Sequence, residues 1–142
     1  MVHALNYVVK DNYIFIICLV PTTSPSPKIV PGNRSMEIHI EPINEADWNG
    51  IPYLYYTFYR IKNSTTRYEN VSINASETNL HLTVTGLVAF TDYEVFVTAA
   101  TKVGEGPKSD IQYIKTDEDG ILTFYFYFPS IKELLGHKCA NF

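Results

Sequence analysis

The chain has 142 residues, a length typical of one domain, and its 46% hydrophobic and 18% charged residues lie in the usual globular range. Disordered, collagen-like and coiled-coil classes are therefore poor fits. A net charge of -4 with only eleven Lys plus Arg lacks the broad basic surface that nucleic acid or an anionic membrane would require. Eleven Tyr, eight Phe and eight Pro favour strands over helices.

The two ends of the chain differ from its middle. Residues 13–20 (YIFIICLV) and 121–128 (ILTFYFYF) are apolar runs, and both are far shorter than the roughly 20 residues that cross a bilayer. The first run could instead belong to a secretory signal, although Lys10 and Asp11 make a poor start for one. We therefore predict an N-terminal flank at 1–24, one domain at 25–119 and a non-domain tail at 120–142.

The cysteines and histidines are not spaced in a way that predicts disulfide bonds or a metal site. Cys18 and Cys139 are the only cysteines, one in each end segment, and they predict two unpaired thiols. The four histidines show no ligand spacing in the sequence. We therefore predict no metal site and no cofactor.

The middle of the chain consists of short alternating segments. Residues 35–40 place Met36, Ile38 and Ile40 on one face, which is the period of a half-buried strand. The dipeptide Asn49-Gly50 predicts a turn, because both residues tolerate positive φ. An aromatic strand is predicted next, at 53–59.

This aromatic run has two possible registers, one with its even-numbered and one with its odd-numbered residues facing inward. The even register buries Phe58 rather than Thr57, so we predict it. Tyrosine is enriched in protein interfaces, which makes the outward tyrosines candidate protein-binding residues. These are Tyr53, Tyr55 and Tyr59.

Four more segments complete the pattern. Residues 68–73 predict a short edge strand, Leu80–Val84 and Tyr93–Ala99 alternate cleanly, and a Gly/Pro turn at 104–107 leads to a last strand near 111–115. About seven short strands with turns at this spacing predict an all-β protein, a seven-stranded antiparallel β-sandwich.

Two segments in the second half of the chain have a distinctive pattern. Residues 87–99 (LVAFTDYEVFVTA) contain a Leu, then Thr-x-Tyr and alternating Val, and residues 101–109 (TKVGEGPKS) contain Gly-x-Gly followed by a Ser. Both segments resemble a fibronectin type III domain, in which the second segment forms the last turn. The resemblance covers 25–119 and implies a tyrosine corner, in which the Tyr93 hydroxyl returns to the backbone near Leu87. It departs from the family where Ile40 replaces a usual Trp, and the only Trp, Trp48, lies in the following loop as a lid over the core edge.

The resemblance also implies a function. It implies a non-enzymatic extracellular module for cell adhesion, receptor spacing or protein recognition, as in the ectodomains of cell-adhesion molecules and receptor-type protein-tyrosine phosphatases. Expected partners are a protein or neighbouring domains of a tandem array, with no nucleic acid, no small-molecule substrate, and membrane attachment only through a parent receptor. The alternatives are a secreted short form and a fragment or short isoform of a receptor phosphatase whose catalytic domain is absent from this chain. No nucleophile elbow, phosphate loop or zinc-protease helix motif occurs.

Three further motifs lead to predictions about glycosylation, metal binding and the end of the domain. Four Asn-x-Ser/Thr sequons fall in predicted loops or edges and indicate glycosylation of a secreted chain, at Asn33, Asn63, Asn70 and Asn74. His39 and His81 point outward from strands that are neighbours in this fold, so they are either two independent surface histidines, which we predict, or a pH-sensitive or metal-binding pair. The acidic run 117–119 predicts a solvated linker rather than a calcium site.

Overall fold

The computed structural model describes residues 19–119 in full and the backbone of two short strands before them. These strands, β1 (Asn6–Lys10) and β2 (Tyr13–Ile17), pair with each other in antiparallel register. The expectations for Cys18, Cys139 and the tail from residue 120 lie outside the described residues. No helix in the described part of the chain is long and apolar enough to cross a membrane.

The described residues from 19 to 119 form a two-layered β structure with one short 3-10 helix, Glu45–Trp48. Its strands are β3 (Ser26–Pro31), β4 (Ser35–Glu41), β5 (Pro52–Ile61), β6 (Glu69–Asn74), β7 (His81–Thr85), β8 (Asp92–Thr101), β9 (Glu105–Lys108) and β10 (Gln112–Lys115). One sheet has the order β3-β4-β7, and the other has the order β10-β8-β5-β6, with β9 also paired to β8. All pairings are antiparallel. This confirms the predicted all-β antiparallel sandwich.

The sandwich contains eight strands within residues 19–119, not the predicted seven. The extra one is β9, which occupies the segment predicted as a Gly/Pro turn. Ser109 separates β9 from β10: its amide donates to the Val97 carbonyl at 2.8 Å, while its hydroxyl accepts from the Val97 amide at 3.0 Å. Because a side chain replaces a backbone acceptor there, the last strand is divided into two short pieces along β8.

The core lies between the two sheets and follows the alternation of the strands. Its buried apolar residues are Met36, Ile38, Ile40, Trp48, Tyr55, Val84, Leu87, Tyr93, Val95, Val97 and Ala99. Trp48, at the end of the 3-10 helix, is 4% exposed and meets the Tyr55 ring edge-on with centroids 5.4 Å apart. The indole therefore closes one end of the core, while Ile40 fills the strand position where the family usually has Trp.

Strand β5 takes the register opposite to the predicted one. Tyr55 is 1% exposed and Thr57 is fully buried, so the odd-numbered residues face the core. Tyr56 and Phe58 lie on the outer face instead. The prediction was wrong because it weighed Phe against Thr and ignored what a buried tyrosine gains.

Burial of Tyr55 is possible because its hydroxyl has a partner. The hydroxyl oxygen accepts a hydrogen bond from the Ile43 amide at 3.2 Å, so the ring can be buried without leaving a polar group unpaired. Burial raises the pKa of Tyr55 above its ordinary value. The small Thr57 side chain then fits between the sheets, at the cost of a buried hydroxyl that has no hydrogen-bond partner in the described part of the chain.

The connection from β7 to β8 is held by Tyr93. Its hydroxyl accepts a hydrogen bond from the Val88 amide at 3.0 Å, and the neighbouring Leu87 is buried. The Leu87 amide in turn donates to the Arg34 carbonyl at 3.0 Å. These contacts join the crossing segment to both sheets, next to the position where the sequence places a tyrosine corner.

Residues at both margins of the predicted domain contact the sandwich. The Leu19 amide donates to the Asn49 carbonyl at 3.0 Å, and the Thr22 amide donates to the Asp47 carbonyl at 2.9 Å, so backbone pairing begins before residue 25. At the other margin, Asp119 forms an ion pair with Arg34. The hydrogen bond from Arg34 lowers the pKa of the Asp119 carboxyl.

Candidate protein-binding face

The outer face of the sheet β10-β8-β5-β6 carries a continuous set of aromatic side chains. The Phe58 and Phe96 rings stack with centroids 4.9 Å apart and an interplanar angle of 18°. Tyr68 meets Phe96 edge-on at 5.0 Å, and Tyr56 lies 6.2 Å from Phe58. Most of these rings are half-buried, because each covers its neighbours while its other side faces solvent.

Strand register explains why these rings meet. Phe58 on β5 and Phe96 on β8 are direct partners, and cross-strand partners project to the same side of a sheet. On β10, Tyr113 is the partner of Glu94 and adds a ring that is 60% exposed. We define the aromatic face as Tyr56, Phe58, Tyr68, Phe96 and Tyr113.

A charged pair lies at one end of the aromatic face. Arg60 and Glu94 are also cross-strand partners, and their side chains form an ion pair. The Tyr68 hydroxyl donates to the same carboxylate at 2.9 Å, and the Arg60 guanidinium lies 4.2 Å from the centre of the Tyr68 ring. Three side chains thus hold one another in place, which reduces the entropy that binding would cost.

These contacts shift the pKa values of Arg60, Glu94 and Tyr68. The hydrogen bond from Arg60, reinforced by that from Tyr68, holds the pKa of Glu94 below its ordinary value. The same pairing raises the pKa of Arg60. Partial burial, together with the bond to Glu94, raises the pKa of Tyr68. The pair is therefore charged at neutral pH.

Two lysines flank the rings. Lys108 Nζ lies 5.5 Å from the centre of the Phe96 ring, and Lys62 Nζ lies 4.8 Å from the centre of the Tyr113 ring. Both distances allow cation–π attraction. The surface therefore combines apolar rings with a charged margin, which is the composition of a protein-contact patch.

Only part of the predicted binding set is exposed. Tyr55, predicted to face outward, is buried in the core. Tyr59 also points inward; its hydroxyl donates to Glu69 at 3.0 Å, and burial followed by that bond raises its pKa to about 12. Tyr53 is 41% exposed but stands apart from the aromatic face, with Lys102 Nζ 5.9 Å from its ring.

One feature of the sequence indicated the outward-facing rings that were not predicted. Tyr93, Val95 and Val97 were predicted to face inward on β8, which by alternation turns Phe96 outward. An outward Phe on the central strand of a sheet needs a covering partner. The even-numbered residues of β5 supply it, so the two strands together favoured the register that the structure has.

Comparison of the described sandwich with solved structures supports its architecture. The third fibronectin III domain of human KIAA0343 protein covers 71% of this chain and 86% of its own length at a TM-score of 0.58 and 22% identity. The fold is that of a fibronectin type III domain. The chicken CNTN1 FN1-FN3 domains match at a TM-score of 0.60 and 20% identity, over 69% of this chain and 33% of the CNTN1 chain. The FN5 domain of Drosophila Lar matches at a TM-score of 0.51 and 25% identity, over 69% of this chain and 98% of the Lar domain.

One curated protein is similar to part of this chain. Over 97 residues the chain is 30% identical to the cell adhesion molecule Dscam1 of Drosophila melanogaster. That match covers 56% of this chain and 5% of the relative, so the chain spans a small part of Dscam1. No protein-family model matches the chain.

The four sequon asparagines of the type III domain are all exposed. Asn70 is the cross-strand partner of Phe58, and Asn74 is the partner of Leu54, so both lie on the same side of the sheet as the aromatic face. The side-chain oxygen of Asn74 accepts bonds from the amide and hydroxyl of Ser76, at 3.0 and 2.9 Å, and Ser76 is the third residue of its own sequon. Asn33 and Asn63 lie in turns at other places.

Proposed function

We propose that this chain is a non-enzymatic extracellular recognition module that binds a protein partner through the aromatic face. The observation that carries the proposal is the aromatic face itself: stacked rings on an outer sheet face, held by an ion pair and flanked by lysines. Rings of this kind contribute large contact area with few rotatable bonds. Similarity to a segment of a cell adhesion molecule supports the same class of function.

The placement of the sequons supports exposure to the secretory pathway. Glycans on Asn70 and Asn74 would project from edge strand β6 into solvent, on the same side of the sheet as the aromatic face and not into the core. A glycan at an edge strand also blocks pairing with another chain, which is a hazard of exposed strand edges. We propose that at least two of the four sequons are glycosylated when the chain is secreted.

Binding can be tested with the full chain displayed on fluorescent beads and incubated with cultured cells. We expect beads to bind a protease-sensitive cell-surface component. Tyr56→Ser removes a ring whose single ring contact among residues 19–119 is the tilted one with Phe58, so the fold should tolerate it. If Tyr56 acts as a hot spot, its loss should weaken binding by roughly 30-fold, corresponding to about 2 kcal/mol.

A matched control comes from the same strand. Tyr53→Ser removes an exposed tyrosine outside the aromatic face and should leave bead binding unchanged. Equal loss in both variants, or binding that survives protease treatment of the cells, would contradict a protein partner on the aromatic face.

Glycosylation has a separate test. The chain is expressed in mammalian cells behind a heterologous signal, and its peptides are mapped by mass spectrometry. We expect modification at Asn70 and Asn74, where the side chains are exposed on one edge strand. Four unmodified asparagines on secreted protein would count against an extracellular module.

The alternative parent, a receptor phosphatase, concerns sequence outside these 142 residues. It stays a prediction that the flanking coding sequence would test. A further run of type III domains followed by a phosphatase domain would support it, and a different set of domains would contradict it.

A further inference from the structure

Three chelating side chains meet on the outer face of the other sheet, β3-β4-β7. Glu37 and His39 are two residues apart on β4 and therefore project to the same side. His81 on β7 is the direct cross-strand partner of His39. One ligand atom from each of the three residues lies within 4.8 Å of the others.

One ring nitrogen of His81 is buried and unpaired within the described residues. Its ring stacks on His39, with centroids 4.4 Å apart and an interplanar angle of 25°. The Nε2 atom of His81 is shielded from solvent and has no hydrogen-bond partner among the described residues, and its distance of 3.8 Å to Glu37 Oε2 is too long for a hydrogen bond. An unpaired polar atom of this kind is costly, and a cation between the nitrogen and the carboxylate would satisfy both.

We propose that Glu37, His39 and His81 form a binding site for a divalent transition-metal ion of the zinc type. Two imidazole nitrogens and one carboxylate oxygen are a donor set that suits Zn²⁺, with water completing a tetrahedron. Calcium and magnesium prefer oxygen ligands, so the two imidazoles argue against them.

Modest movement would bring the ligands to bonding distance. Ligand atoms about 2.0–2.2 Å from a tetrahedral zinc ion stand roughly 3.4 Å apart, which is less than the 3.8 Å between His81 Nε2 and Glu37 Oε2. The Glu37 side chain is 54% exposed and can swing inward without disturbing the core. The backbone beneath is fixed, because Ile38 between Glu37 and His39 is fully buried and pairs with Leu82.

Neighbouring charges limit the affinity. Lys28 on β3 is the partner of His39 on its other side, and its ammonium group opposes a bound cation. Glu41, two residues beyond His39, is a second acid on this strand and outside the three-residue cluster. Because Lys28 lies directly opposite His39 while Glu41 lies outside the cluster, removal of Lys28 should strengthen metal binding and removal of Glu41 should matter little.

The test uses the full chain with Cys18→Ser and Cys139→Ser, so that thiols do not compete for zinc. Long-range ¹H–¹⁵N spectra of the histidine rings are recorded during a Zn²⁺ titration at neutral pH. We expect the ring-nitrogen signals of His39 and His81 to shift together and to saturate near one equivalent. His3 and His137 are present in every variant, so their contribution cancels in comparisons.

Variants then assign the ligands. Loss of an outer-shell partner already weakens metal sites by about 10–100-fold, so His39→Gln, His81→Gln and Glu37→Gln should each weaken Zn²⁺ binding at least about tenfold. Glu41→Gln is the matched control and should bind as the parent does. Lys28→Gln should bind several-fold more tightly. Circular dichroism in the presence of a chelator verifies that each variant is folded.

Two results would overturn the proposal. In one, the Zn²⁺ affinity of the His39→Gln and His81→Gln variants equals that of the parent. In the other, the ring signals of His39 and His81 respond to acid but not to Zn²⁺, which would make the cluster a proton-binding pair with Glu37 instead of a metal site.

Discussion

The two faces of the sheet β10-β8-β5-β6 use aromatic residues in different ways. On the inner face, the hydroxyls of Tyr55 and Tyr93 accept hydrogen bonds from the backbone amides of Ile43 and Val88, so both rings can be buried. On the outer face, the rings contact one another and charged side chains. The two buried tyrosines thus have backbone partners for their hydroxyls, whereas the hydroxyl of Tyr68 on the outer face bonds to the Glu94 side chain. The inner rings stabilise the fold, and the outer rings are available to a partner.

The largest effect should come from the inner face. Tyr55→Ala leaves a cavity beside Trp48 and an unpaired Ile43 amide, and truncation of a buried aromatic residue costs about 3–5 kcal/mol. We expect a loss of this size in the free energy of unfolding, measured with urea. Tyr53→Ala, on the same strand but 41% exposed, should cost well under half as much. Equal losses would show that β5 does not have the register described here.

The same strand shows what could be predicted from the sequence. The inward faces of β4 and β8 followed from strict alternation of apolar residues, and the sandwich followed from the number and spacing of such strands. In β5 both sets of alternating residues contain aromatic side chains, so periodicity alone could not choose between them. The observed register is stabilised by the hydrogen bond that the Ile43 amide donates to the Tyr55 hydroxyl. Ile43 lies twelve residues away in the sequence, so the alternation within β5 does not reveal this bond.

The candidate site was predicted less well for the same reason. A shift by one residue moves every side chain of a strand to the other face, so one wrong register exchanged Tyr56 and Phe58 for Tyr55 and Tyr59. The histidines behaved differently. The likeness to a known fold placed their strands side by side, but their exact pairing, and the contribution of Glu37, depended on strand register and side-chain rotamers.

A smaller effect is expected at the tyrosine that joins the sheets. Tyr93→Phe keeps the ring in the core and removes only the hydroxyl that accepts from the Val88 amide. One hydrogen bond contributes about 1 kcal/mol net, so we expect that loss of stability in urea with little change in the slope of the transition. A loss near zero would mean that water replaces the hydroxyl at Val88.

On the outer face, the energy of the central stack can be measured by itself. A double-mutant cycle with Phe58→Ala and Phe96→Ala isolates the interaction of the two rings from their separate contributions. We expect a coupling of about 0.5–1 kcal/mol, the lower part of the range for aromatic pairs, because both rings remain partly exposed. The pair Phe58 and Tyr53, which make no ring contact, provides a control cycle. A coupling near zero for Phe58 and Phe96 would mean that the two rings are not stacked in solution.

The smallest effect concerns the charged end of the aromatic face and depends on pH. Glu94 has a lower pKa in the folded chain than its ordinary value of 4.5, first because of the hydrogen bond from Arg60. A carboxyl with a depressed folded pKa stabilises the fold above the unfolded pKa, and this contribution disappears as the pH falls through the folded value. Glu94→Gln should therefore lower the thermal midpoint slightly at about pH 7, and its difference from the parent should shrink toward about pH 3.

Glu77→Gln, at an exposed turn, is the control and should show no such convergence. If the difference at Glu94 instead grew in acid, the carboxylate would be destabilised by its surroundings, and the ion pair could not be what orders this end of the aromatic face.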